Sequence, residues 1–164
     1  MIRTGIITVS DRSSQGIRKD SSGPTLTAML ADEKLEVCKS LIIPDEKSEI
    51  KDAIIKFADK EKLDLILTAG GTGGSPRDVT PDATLEVIEK QIPGMAEAMH
   101  HQSMNITPYA MISRAIAGIR GHCLIVNLPG SPKGAKENLA VILPALKHAI
   151  EKIKGDDAEC GSSV

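Results

Sequence analysis

The chain has 164 residues, 41% of them hydrophobic and 26% charged, with a formal net charge of −2 and only two aromatic side chains, Phe57 and Tyr109. A chain of this length buries roughly two thirds of its unfolded surface as one domain, so a single core built from Ile, Leu, Val, Ala and Met is expected. Lys+Arg (20) nearly balance Asp+Glu (22) and there is no Trp, which leaves neither a basic field nor a stacking platform for nucleic acid. No apolar run approaches the roughly 20 residues of a membrane span, and the N-terminus enters a strand-like segment without a signal-peptide layout, so a cytoplasmic protein with no membrane contact is expected. Cys38, Cys123 and Cys160 are widely spaced and odd in number, which fits reduced thiols; Cys38 and Cys123 read as small core residues. The four histidines form no metal-ligand pattern.

Residues 4–10 (T-G-I-I-T-V-S) are almost continuously apolar or β-branched, as in a strand buried on both faces of a parallel sheet. A polar stretch over 11–23 follows. Pro24 at a first helical position, with Ser22 as cap, opens a helix carrying Leu26, Met29 and Leu30. Residues 37–43 form a second strand, ended by Pro44. Asp45 or Ser48 then caps a helix that places Ile50, Ala53, Ile54, Phe57 and Ala58 on one face. A third strand, 63–68, runs into a long loop over 69–81, before a helix with Thr80 as cap and Pro81 at its first position. Loops of that length inside a domain usually carry function. Over 94–119 two helices are expected around a break near Asn105, with Met95, Met99, Met104 and Met111 in a core or subunit interface. A fourth strand (122–128), a tight loop (129–134), a closing helix (135–154) and a frayed, disordered tail (155–164) complete the chain. This alternation predicts one α/β domain over 1–154, a three-layer α-β-α arrangement around a mostly parallel sheet with right-handed crossovers. In such a sheet the ligand site lies beyond the carboxyl ends of the strands.

Those ends carry most of the residues able to do chemistry. Gly70-Gly71-Thr72-Gly73-Gly74 lets backbone N–H groups approach a ligand closely and form an anion-binding nest, although it matches neither the P-loop nor G-x-G-x-x-G. A carboxylate beside a phosphate cradle is unfavourable unless a divalent cation lies between them, so Asp78 reads as a Mg²⁺ ligand. Asp45 is the other candidate ligand, with an N-cap role as the alternative. Asp82, in a first helical turn, is explained by the helix dipole. In the loop Asn127-Leu128-Pro129-Gly130-Ser131-Pro132-Lys133 two prolines hold a turn rigid, while Ser131 and Lys133 offer a hydroxyl and a cation to an anionic group. Ser10, Asp11 and Asp20 read as turn chemistry, with a ligand contact as the alternative, and Arg114 as a usable anion contact.

Five segments, V-S-D-R at 9–12, I-P-D-E at 43–46, T-A-G-G-T-G at 68–73, R-D-V-T-P-D-A-T at 77–84 and N-L-P-G-S-P-K at 127–133, together resemble the MogA/MoaB family of molybdenum-cofactor biosynthesis, which includes gephyrin-type G domains. The resemblance covers about 3–153. It implies the family's α/β fold, a homotrimer, and Mg²⁺-ATP-dependent adenylylation of the terminal phosphate of molybdopterin with release of pyrophosphate. It further implies catalytic, Mg²⁺-holding roles for Asp45 and Asp78. Ser10, Asp11, Thr68, Gly70, Gly71, Thr72 and Gly73 would then form the nucleotide site, and Asn127, Pro129, Gly130, Ser131, Lys133 and Arg114 the molybdopterin site. Transient contact with other proteins of the pathway is expected. The alternative within the family is a non-catalytic trimer that binds molybdopterin or a pathway partner. With so few rings, Tyr109 is the one side chain expected to be free for stacking, because Phe57 lies on the core-facing stripe.

Overall fold

The near-continuous apolar run at the start of the chain becomes β1 (Ile2–Val9), followed by a one-turn helix α1 (Asp11–Ser14), α2 (Ser22–Asp32), β2 (Leu35–Ile43), α3 (Lys47–Ile55), β3 (Leu65–Ala69), α4 (Thr80–Val87), β4 (Lys90–Gln91), α5 (Pro93–Met104), β5 (Ala117–Arg120), β6 (Cys123–Leu128) and α6 (Pro132–Ile153). This computed structural model describes residues 1–33 and 35–155, so the expected tail beyond Gly155, Cys160 included, lies outside the described residues. The described strands form one six-stranded sheet in the order β2-β1-β3-β6-β5-β4. The first four run parallel, while β5 and β4 are antiparallel additions at the β6 edge.

Because every β3 and β6 residue is buried, side chains alternate between two cores rather than between core and water. One face sends Ile6, Leu65, Leu67, Leu124 and Val126 against α2, α5 and α6, where Leu26, Met99, Leu139 and Leu146 meet them. The other sends Ile7, Val9, Ile66, Cys123 and Ile125 against α3 and α4. All five residues of the expected α3 face are buried there, Phe57 among them. Gly5 makes room for that ring, since a Cβ on Gly5 would lie 2.6 Å from a Phe57 ring carbon. This is the expected three-layer arrangement.

Several local expectations are corrected. The polar stretch after β1 contains α1, capped by Ser10, whose hydroxyl accepts the Ser13 N–H at 3.2 Å. Helix α2 starts at Ser22, and its first amides are held by the Asp20 carboxylate rather than a Ser22 hydroxyl, at 3.0 Å to Ser22 N and 3.2 Å to Gly23 N. Neither Asp45 nor Ser48 caps α3; Glu46 occupies the cap position without a side-chain bond, and α3 widens into a π turn over Lys56–Lys60. Thr80 is the first helical residue of α4 instead of its cap, and its N–H donates to Gly71 O at 3.1 Å. The break falls at Asn105 as expected, but the second helix is only a short 3₁₀ helix (Pro108–Ile112) capped by Thr107, and residues beyond it form β5, joined to β6 by a tight turn in which Gly121 adopts φ +56°. Cys38 is partly exposed on the edge strand β2, not a core residue, whereas Cys123 is buried. Met95 and Met99 are buried, but Met111 is exposed.

Candidate active site

From β1 the chain moves outward to β2 and then crosses back to β3, so the carboxyl ends of β1 and β3 diverge at a switch point where a crevice must open. A cleft of about 400 Å³ lies there, lined by Ser10, Asp45, Gly70, Gly71, Asp78 and Ser131 among others. The glycine loop enters it through Gly70 (φ +112°) and Gly71 (φ +64°), backbone conformations open to glycine. A Cβ on Gly70 would collide with Val9 O, and one on Gly71 with Thr80 Oγ1. Gly70 N–H is spent on Leu128 O at 3.1 Å; the amides of Gly71, Thr72, Gly73 and Gly74 donate to no protein acceptor among the described residues. They remain available to an anion.

The loop after β6 packs glycine to glycine on this one: a Cβ on Gly130 would lie 3.2 Å from Gly70 Cα. Ser22 Oγ donates to Gly130 O at 2.7 Å, tying α2 to the same loop. Ser131 caps the 22-residue α6, accepting Gly134 N–H at 3.1 Å, so the positive end of a long helix faces the cleft. Ser131 also borders a second pocket of about 280 Å³, lined by Thr72, Gly73, Tyr109, Ile112 and Pro129. Tyr109 is 80% exposed at its mouth, consistent with a ring free for stacking.

Asp20, Asp45 and Asp78 line the cleft, while Asp11 does not line it but is hydrogen-bonded to Asp45. Asp11 Oδ1 accepts the Asp45 N–H at 3.0 Å while Asp45 Oδ2 accepts the Asp11 N–H at 2.9 Å, a reciprocal pair joining the ends of β1 and β2. Hydrogen bonds from Arg77, and then the Asp45 amide, hold the Asp11 carboxyl below its ordinary pKa. Asp45 is pushed the other way, first by burial and then by the negative charges of Asp11 and Asp78. Its Oδ1 accepts no hydrogen bond from the described residues. A half-buried carboxylate with a spare oxygen and two like charges beside it is what a divalent cation would relieve. No group of three or more His, Cys, Asp or Glu able to hold a metal occurs among the described residues, so a Mg²⁺ here would take Asp45, Asp78, phosphate oxygens and water, the set that ion favours.

Other expected residues sit elsewhere. Thr68 and Asn127 are fully buried beneath the loops, with Asn127 Nδ2 donating to Thr68 Oγ1 at 2.9 Å and Thr84 Oγ1 at 3.0 Å. Arg114 is engaged on the outer side of the glycine loop, where it pairs with Asp82 at 3.0 Å and donates to Gly73 O and Asp78 O. Lys133 lines neither pocket, its side chain 80% exposed. Conversely, Arg18 and Lys19, not singled out in the sequence, line the main cleft beside Asp20 from the segment before α2. Their signal in the sequence is an adjacent cation pair directly before an acidic cap, inside a stretch that reads as plain loop.

A family model described as "Probable molybdopterin binding domain" matches residues 5–148. The chain belongs to this family. Among its members, the molybdopterin adenylyltransferase of Helicobacter pylori strain 26695 is 40% identical over 157 residues, covering 94% of this chain and 89% of the relative. That of Escherichia coli K12 is 41% identical over 143 residues, covering 84% and 72%. The crystal structure of the molybdopterin biosynthesis enzyme MoaB from Thermus thermophilus superposes with a TM-score of 0.90 at 48% identity, covering 94% of this chain and 98% of that one. The molybdopterin-binding family fold is thus present over nearly the whole described chain.

Proposed function

We propose that this protein is a molybdopterin adenylyltransferase, transferring AMP from ATP to the terminal phosphate of molybdopterin with release of pyrophosphate. The observation that carries the reading is the cleft itself. The unpaired Gly71 amide, the α6 N-terminus and the separately positioned Asp45 and Asp78 carboxylates meet there, with Thr72 and Gly73 on the adjoining pocket, in a chain aligned nearly end to end with relatives of that name. Gly71 to Gly74 bind and orient the nucleotide phosphates through their amides, and Ser131 with the α6 N-terminus faces the phosphate of the second substrate. The two pockets meet at Ser131, which suits a reaction joining the phosphate ends of two ring-bearing molecules. Asp45 and Asp78 hold the cation, and the packed glycine loops keep their geometry. Mg²⁺, when bound, supplies charge neutralisation for the phosphate oxygens. The attacking phosphate is ionised at neutral pH, so no residue need take a proton from it.

Exposed Leu41 and Ile42 on β2, and Met111 and Ile112 in the 3₁₀ turn, support assembly as a homotrimer that covers such surfaces. No helix among the described residues is long and apolar enough to cross a membrane, and we infer a cytoplasmic enzyme. The test is pyrophosphate release by the purified protein. Release should require Mg²⁺, ATP and molybdopterin together and be lost in Asp78→Asn while folding and the trimer's mass persist. Calorimetric molybdopterin binding without any turnover would instead favour a carrier.

A further inference from the structure

Asp78 and Asp45 stand on different loops, β3–α4 and β2–α3, and no hydrogen bond joins them directly. Their connection runs through Arg77, the residue beside Asp78. Its Nε donates to Asp11 Oδ2 at 3.0 Å, one terminal nitrogen donates to Asp11 Oδ1 at 2.9 Å, and the same nitrogen donates to Glu46 Oε1 at 2.8 Å. Asp11 in turn accepts the Asp45 amide, and Asp45 accepts that of Asp11. The guanidinium therefore reaches both neighbours of the Asp45 backbone, Asp11 at the end of β1 and Glu46 next along the chain. Asp78 is fixed on its own side, its Oδ2 accepting Ser75 N–H at 2.9 Å and its carbonyl gripped by Arg114. With both Asp11 oxygens occupied, Asp11 serves as a bridge and not as a metal ligand.

We propose that Arg77 is a positioning residue that sets the separation of the Asp45 and Asp78 carboxylates for a divalent cation. This rests on the reading of that pair as the metal-holding residues. Two features separate the role from mere stabilisation. The Arg77 side chain is 53% exposed, and exposed ion pairs contribute little to folding. The sign of its charge also opposes its effect: removing a cation from beside a metal site strengthens cation binding by Coulomb's law alone, so weaker binding can come only from lost geometry. A lysine keeps the charge but loses the two-pronged fork.

The experiment uses the full chain, with Mn²⁺ in the presence of a non-hydrolysable ATP analogue as probe, read by electron paramagnetic resonance. In Arg77→Ala the Mn²⁺ dissociation constant should rise about 10-fold, the usual scale for residues that orient metal ligands. Arg77→Lys should also weaken Mn²⁺, and raising Mg²⁺ should recover most of the turnover of both variants. The thermal midpoint should fall by no more than about 4 °C. Unchanged or tighter Mn²⁺ binding in Arg77→Ala overturns the proposal, as does a larger fall in midpoint that parallels the loss of binding. If the parent protein binds Mn²⁺ with nucleotide yet releases no pyrophosphate, the enzymatic reading fails while the Arg77 comparison still stands.

Discussion

Asn127 separates a ligand contact from a support beneath it. Its side chain makes three hydrogen bonds: Nδ2 to Thr68 Oγ1 at 2.9 Å, Nδ2 to Thr84 Oγ1 at 3.0 Å, and Oδ1 from the Ile116 N–H at 3.2 Å. These join β6 to β3, to α4 and to the segment entering β5; Asn127, Thr68 and Thr84 have no exposure and Ile116 is partly buried. Asn127→Ala leaves the Ile116 amide without an acceptor, costing about 1–3 kcal/mol, and removes two amide–hydroxyl bonds at about 0.5–1.5 kcal/mol each, or about 2–6 kcal/mol together. At about 2–4 °C per kcal/mol for a chain of this size, the midpoint falls by on the order of 10 °C. The assay is a thermal melt at fixed protein concentration, paired with calorimetric molybdopterin binding well below the variant's midpoint. Stability should drop while affinity stays near that of the parent. An unchanged midpoint with a large loss of affinity would refute the reasoning and return Asn127 to the ligand.

Gly71→Ala forces a Cβ onto Thr80 Oγ1 and to 3.0 Å from Asp45 Oδ1 at φ +64°, a conformation that costs a side chain about 1–2 kcal/mol. Because the carboxylate must give way, nucleotide-dependent Mn²⁺ binding should suffer more than the melting midpoint. Exposed Glu86 is held at a pKa of about 2 by hydrogen bonds from Lys47 and Lys51. Its folded value lies below the ordinary one, so its contribution is present above about pH 4.5 and lost as pH falls toward 2. The midpoint difference between the parent and Glu86→Gln should accordingly shrink on acidification and in about 1 M salt, and a difference that grows would contradict the pairing. Burial pushes the Cys123 thiol up to about 12, so native protein at about pH 8 should leave Cys123 unalkylated by iodoacetamide while partly exposed Cys38 reacts, as mapped by peptide mass spectrometry.

The apolar runs of β1, β3 and β6 and the α3 stripe are legible in the chain because two-sided burial and a 3.6-residue period leave a pattern in the residues themselves. The hairpin of β5 and β6 is not, because Ala117–Arg120 is short and its strand identity comes from pairing with β6, a contact distant from any local preference. Likewise Asp45 looks the same in sequence whether it caps a helix or accepts the Asp11 amide across a sheet.

The sequence alone determined the α/β class, the glycine-rich loop after β3, and the placement of Asp45 and Asp78 in loops that follow strands, since each depends on residue type and short-range spacing. Only the tertiary structure decided what surrounds them. Thr68 and Asn127 lie under the floor, Arg114 clamps the outside of the glycine loop, Arg18 and Lys19 enter the cleft, and Arg77 spans three loops to reach Asp11 and Glu46. The physical reason is that these roles rest on hydrogen bonds and close approaches between segments more than 30 residues apart, which exist only once the parallel crossovers have brought the strand ends side by side.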